Sequence, residues 1–415
     1  MLLLERISCV ASPVSSVKSG LPRALGRKMG RLDVAENRSI AIEEDRIVAI
    51  GDPDAMSEEY AKAERVDCRD KTLLPGWVDS HTHLVFAGNR SNEFADRLRG
   101  KSYQEIYEAG GGIRASMQAV RDASLEEIVE RVRPLIENAF AHGSTTIEVK
   151  SGYGLDTASE VKLLEAIRLL DEQVAPTLVP TFLGAHAFPP EYEEDHEAYV
   201  RVIIDEMIPE VGTRGLAEYC DVFTDEGYFT INQSERILEA ARRAGMRIRV
   251  HADELADVGA ATMAARMGAR SADHLLNISK EGIEEMVASD VIATLLPGTA
   301  FYLNLPYAPA RKLIQSGLAV ALATDCNPGS NLCEVMPVTL ALACNAMRMS
   351  VEESITAATL NGAAALDRSD RIGRIEVGMT ADLVLYNVAN YPDLLYHYGV
   401  NHARLVIKEG KVYEV

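Results

Sequence analysis

Two histidines one residue apart, His81 and His83, close the apolar run "LLPGWVDSHTH". In an extended strand, residues i and i+2 face the same side, so both imidazoles point at one place. An HxH pair alone carries little weight, but the chain has only nine histidines. His251 follows "RIRV", His186 follows "LVPTFLGA" and His274 closes "SADH". Asp325 follows the apolar run "AVALAT". Three imidazoles (His81, His83, His251) and the Asp325 carboxylate make an N3O set. Such a set suits one zinc or iron ion with an open position for water. A cation there lowers the pKa of a bound water to roughly 7. Glu254, three residues after His251, and His274 would face the same cavity and move the proton.

These residues must be positioned by something regular. From about Thr72 to about Leu366, short apolar runs ending in polar clusters alternate with segments of helical period. The runs include "TTIEVKSG", "PTLVPTFLGAH", "RIRVHADE", "VIATLLPG" and "AVALATDCNPGS". Between them lie "SLEEIVERVRPLIENAFAHG" and "SERILEAARRAGM", the second stopping at Gly245. Buried strands alternating with helices mean parallel βα units, and about eight of them make a (β/α)8 barrel, whose active site lies at the strand C-termini. An open doubly wound sheet is the runner-up, but no GxGxxG follows the first strand. The two ends differ from the middle. "RSIAIEEDRIVAIGD", "ADLVLYNV" and "ARLVIKEGKVYEV" alternate apolar and polar residues as half-buried strands do. Neither end has strands enough for a core, so residues 1–70 and 367–415 are expected to form one small β-sandwich beside a barrel of residues 71–366.

The chain has 415 residues, 42 Lys+Arg against 62 Asp+Glu, and a formal net charge of −20. That balance argues against nucleic acid or an anionic membrane as the partner. The six cysteines include no CxxC pair and read as free thiols of a reducing cytosol. The start, Met-Leu-Leu-Leu-Glu-Arg, lacks the features of a signal peptide. The stretch Val291 to Ala310 is broken by three prolines and cannot be a membrane helix.

The motifs "PGWVDSHTHLVFAGNR", "EVKSGYG", "TFLGAHAFPPEY", "HADE", "SADH" and "ATDCNPGS" resemble the amidohydrolase superfamily and, within it, the imidazolonepropionase family of histidine degradation. The likeness runs from about Val34 to the C-terminus. It implies a distorted barrel with a small β domain, a mononuclear zinc or iron site on His81, His83, His251 and Asp325, and a cytoplasmic homodimer. It implies substrate contacts at Arg90, Tyr153, His186, Glu254, Asn327, Gly329 and Ser330. The implied reaction opens the ring of 4-imidazolone-5-propanoate to N-formimidoyl-L-glutamate, with His274 or else Asp325 taking a proton from water and Glu254 orienting the ring nitrogens. On that reading Arg90 grips the carboxylate tail with its planar fork, so the pocket supplies the positive charge that the surface lacks. Cys326 stands where an aromatic or other bulky residue is expected; a buried thiol behaves as a small hydrophobe.

Three other readings share these residues. A deaminase acting on a purine- or pyrimidine-like ring would use the same metal set. A binuclear hydrolase would need Lys150 of "EVKSG" carboxylated, whereas an ordinary lysine paired with a carboxylate is the simpler state. An inactive barrel kept as a scaffold would be expected to have lost ligands, and here the set is complete.

Overall fold

The computed structural model describes residues 1–17, 20–101, 105 and 110–415. Eight parallel strands follow one another around a barrel in chain order: Trp77–Asp79, Ser144–Lys150, Thr177–Ala185, Tyr219–Thr224, Val250–Ala252, Ser271–His274, Ile292–Leu295 and Val320–Leu322. A two-residue strand, Arg247–Ile248, pairs beside the fourth. The ring closes just beyond the ends of its first and last strands. There the Asp325 amide donates to the His81 carbonyl at 3.0 Å and the His83 amide to the Cys326 carbonyl at 2.9 Å. The side chain of Asp79 adds two bonds across the same seam, to the Thr324 amide at 2.9 Å and its hydroxyl at 2.6 Å.

The helices form where the sequence places them. Leu125–Ala141 begins at a capping box of Ser124 and Glu127, and Ile231–Arg243 at one of Thr230 and Gln233. Gly245, at φ +90°, follows the second as a left-handed stop. Among the described residues no helix is long and apolar enough to cross a membrane.

Both termini build a second sheet. Its strands run Lys411–Glu414, Ala403–Lys408, Leu383–Tyr386, Thr72–Pro75, Leu2–Pro13, Leu32–Glu43 and Arg46–Gly51, with Glu64–Asp67 beside the start of Leu2–Pro13. The sheet encloses a core of its own, in which Leu4, Ile7, Ile40, Ile47, Leu383 and Ile407 are buried. The apolar run "LLPGWVD" is divided between the two sheets. Thr72–Pro75 pairs with the terminal strands, and Trp77–Asp79 opens the barrel. Gly76 is the joint: its amide donates to the Asp382 carbonyl at 2.9 Å, and an added Cβ would collide with the side chain of Thr145. Asn361 fastens the N-terminal segment to the barrel with bonds to both backbone groups of Ala24 and to the Val320 carbonyl.

The close fit at Gly76 makes a prediction. Gly76→Ala should overpack this joint and cost about 1–3 kcal/mol, read as a lower denaturant midpoint with an unchanged slope. A midpoint equal to that of the unsubstituted chain would contradict the packing described.

Candidate active site

At the C-terminal mouth of the barrel, four side chains from three places in the chain converge. His81 and His83 lie just past the first strand, in an extended segment beyond Asp79. His251 lies in the fifth strand and Asp325 just past the eighth. The Nε2 atoms of His83 and His251 face each other at 3.3 Å. Asp325 Oδ1 is 3.5 Å from His83 Nε2 and 3.6 Å from His81 Nε2. All four residues are at most 3% exposed. Burial first, then neighbouring cationic groups and imidazoles, push His81, His83 and His274 well below the usual imidazole range. Their rings therefore stay neutral and offer lone pairs. His81 Nε2 is buried without a hydrogen-bond partner.

The outer edges of two of these rings meet carboxylates. His81 Nδ1 bonds Asp273 Oδ2 at 2.7 Å, and His251 Nδ1 lies 3.0 Å from Asp221 Oδ2. A carboxylate behind an imidazole fixes the ring and its tautomer, and turns the other nitrogen toward a metal. Beneath them lies a buried ionic layer. Lys150 Nζ is 2.6 Å from Glu148 Oε1 and 2.9 Å from Asp221 Oδ2, and Arg249 donates to the Ser80 carbonyl at 2.7 Å and to Asp273 at 3.2 Å. All five of these charged side chains are fully buried. Burial opposes the charge on Lys150, but the carboxylates of Asp221 and Glu148 outweigh it and raise its pKa. Lys150 is thus an ordinary ion-paired lysine. With Asp325, four carboxylates face two cations, an excess of two negative charges. That imbalance and the inward-facing nitrogens fit one divalent cation.

A cavity of about 470 Å³ opens above this floor. The structure brings to its wall all seven residues that the sequence reading assigned to substrate: Arg90, Tyr153, His186, Glu254, Asn327, Gly329 and Ser330. His274 lines it as well. Cys326 is fully buried and lies outside that lining. His186 stacks on His83 with ring centroids 5.0 Å apart, and its Nδ1 bonds the Gly152 carbonyl at 2.9 Å. Burial lowers the His186 pKa to about 4. Tyr153 is held by a loop whose amides at Gly152, Gly154 and Leu155 all donate to the buried Glu160 carboxylate. Asn327 uses its side chain within its own turn: Oδ1 accepts from the amides of Gly329 and Ser330, and Nδ2 donates to the Asp325 carbonyl at 2.7 Å. It shapes the loop beside Asp325.

Glu254 is nearly buried, and burial, then the charges of Asp325 and Asp225, raises its pKa well above the usual carboxylate range. That shift favours the protonated acid over the carboxylate. Its Oε2 lies 3.5 Å from His274 Nδ1. Asp225 holds this loop by accepting from the amides of Glu254, Leu255 and Ala256 at 2.7–3.0 Å. Asp221, Asp225 and Asp273 escaped the sequence reading. The first two belong to "EYCDVFTDE", whose interspersed acidic residues hide a buried strand; Asp273 stood one residue before His274 in a motif already in view.

The amidohydrolase family profile matches residues 72–413. A curated imidazolonepropionase of Geobacillus kaustophilus is 49% identical over 389 residues, covering 93% of this chain and 92% of that protein. That of Alkaliphilus metalliredigens is 46% identical, covering 99% and 98%. Among solved structures, an adenosine deaminase from Xanthomonas campestris with bound zinc superposes with a TM-score of 0.73 at 19% identity, covering 100% of this chain and 93% of that one. Guanine deaminase of E. coli gives 0.73 at 16%, covering all of both chains. At such identity these two structures speak for the fold alone. The profile match and the close relatives decide the affiliation: the chain belongs to the amidohydrolase family and, within it, to the imidazolonepropionases.

Proposed function

We propose that the chain hydrolyses the ring amide of 4-imidazolone-5-propanoate to N-formimidoyl-L-glutamate, a step of histidine degradation. The observation that carries this reading is the placement of the N3O set on the floor of a cavity whose wall holds arginine. His81, His83, His251 and Asp325 would hold the cation, and both zinc and iron suit that donor set. A bound divalent cation supplies Lewis acidity, easing ionisation of water and offsetting charge on the carbonyl oxygen.

The chain's own residues supply the proton path. Neutral His274 accepts the proton of the water that attacks the ring carbonyl carbon. Protonated Glu254 sits within reach of His274 and donates to the ring nitrogen as the C–N bond breaks. The water oxygen ends in the new carboxylate and its protons on the path and the leaving nitrogen, so the balance is one water added. Tyr153 and His186 wall the ring in, and the Arg90 guanidinium offers its positive charge to the propanoate.

Mass spectrometry of the product should show the substrate mass plus one water, with no free ammonia in the same tube. Ammonia release would sink the ring-opening reading and favour a deaminase. Glu254→Gln removes the transferable proton and should lower kcat by about 10²-fold or more, with the cation content unchanged. Turnover near that of the unsubstituted enzyme would take Glu254 out of proton transfer.

A further inference from the structure

Asp273 and Asp221 stand behind two of the candidate ligands, His81 and His251. Asp325 is backed by a group that the steps above do not use. Thr299 lies in the short helix Pro297–Leu303, just beyond the seventh strand, and is 2% exposed. Its hydroxyl donates to Asp325 Oδ2. Oδ1 is left facing inward, 3.5 Å from His83 Nε2 and 3.6 Å from His81 Nε2.

A packed joint brings the two side chains together. A Cβ on Gly298 would collide with the side chain of Asn331, so the start of the helix rests on that amide with no room to spare. Asn331 Nδ2 in turn donates to the Thr324 carbonyl at 2.6 Å, one residue before Asp325. The segment carrying Thr299 and the segment carrying Asp325 are thus fastened to the same residue.

The bond has two consequences. The terminal torsion of an aspartate is broad, so a carboxylate free at both oxygens can turn, or offer both oxygens to a cation. A donor on Oδ2 fixes the plane of the carboxylate and leaves Oδ1 to ligate. One atom from each of four residues keeps a position open for water. The donor is also neutral. A lysine or arginine in its place would cancel one of the two excess negative charges, whereas a hydroxyl donates without altering the balance.

We propose that Thr299 is a positioning residue: it holds Asp325 as a one-oxygen ligand and sets how tightly the site keeps its cation. The inference rests on the reading of His81, His83, His251 and Asp325 as the ligand set.

The test is competition for zinc between the loaded enzyme and a chromophoric chelator. Thr299→Val keeps the shape of the side chain and removes the donor, and should weaken zinc binding by about tenfold or more. Thr299→Ser keeps the hydroxyl and should stay within about twofold of the unsubstituted enzyme. With cobalt(II) in place of zinc, the visible absorption, which follows ligand number and geometry, should change in Thr299→Val and not in Thr299→Ser. Zinc held as tightly by Thr299→Val as by the unsubstituted enzyme, an unchanged cobalt spectrum, or equal loss in Thr299→Ser would each overturn the assignment. Asp325→Ala, measured beside them, separates this from the ligand reading. Loss of zinc in Asp325→Ala with none in Thr299→Val would refute the role of Thr299 alone, and zinc held unchanged by Asp325→Ala would refute the ligand set as well.

Discussion

The architecture depends on one electrostatic constraint: a group of charges buried at the mouth of the barrel. Among the described residues Glu148, Asp221, Asp273 and Asp325 are matched by Lys150 and Arg249, and burial holds the His81 and His83 imidazoles neutral. Such a set is tolerable only when every charge is bonded and the excess is balanced. The barrel meets the first condition by spreading these charges over several neighbouring strands. Glu148 and Lys150 come from the second strand, Asp221 from the fourth, and Asp273 from the sixth. The second condition points to a divalent cation, which places the chemistry at the centre of this layer.

Above the layer, precision comes from loops fastened by their own polar groups. Asp325 lies at φ +53° and His274 at φ +77°, conformations that side chains rarely adopt and that the surroundings must hold in place. Asp325 is fixed by its amide bond to the His81 carbonyl and by the Thr299 hydroxyl on its Oδ2. Asp225, Glu160 and Asn327 do the same for the loops carrying Glu254, Tyr153 and Ser330. None of the three is a candidate for reacting with substrate. Each ties its loop down as part of the cavity wall, which is what positioning a near-attack geometry requires.

Much of this was legible in the sequence, for a physical reason. In a barrel a site is built from strand ends, so the candidate residues His81, His83, His251 and Asp325 stand at or after largely apolar runs, and His274 closes the short strand Ser271–His274. The signal weakens where strands are polar or the chain changes sheet. Tyr219–Thr224 is entirely buried yet carries Asp221, because that carboxylate is paired inside the barrel. The run across Gly76 reads as one strand because both halves are apolar, and only pairing reveals two sheets. Spacing likewise could not say that Asn327 would use its amide on its own turn.

The most direct test of this account is elemental analysis of the purified protein, paired with unfolding before and after chelation. A buried set with two excess negative charges should hold one divalent ion per chain. Removing that ion should lower the unfolding midpoint, and restoring zinc or iron should recover it. Two ions per chain, or a midpoint indifferent to their removal, would contradict the claim that a single cation balances the charges beneath the imidazoles.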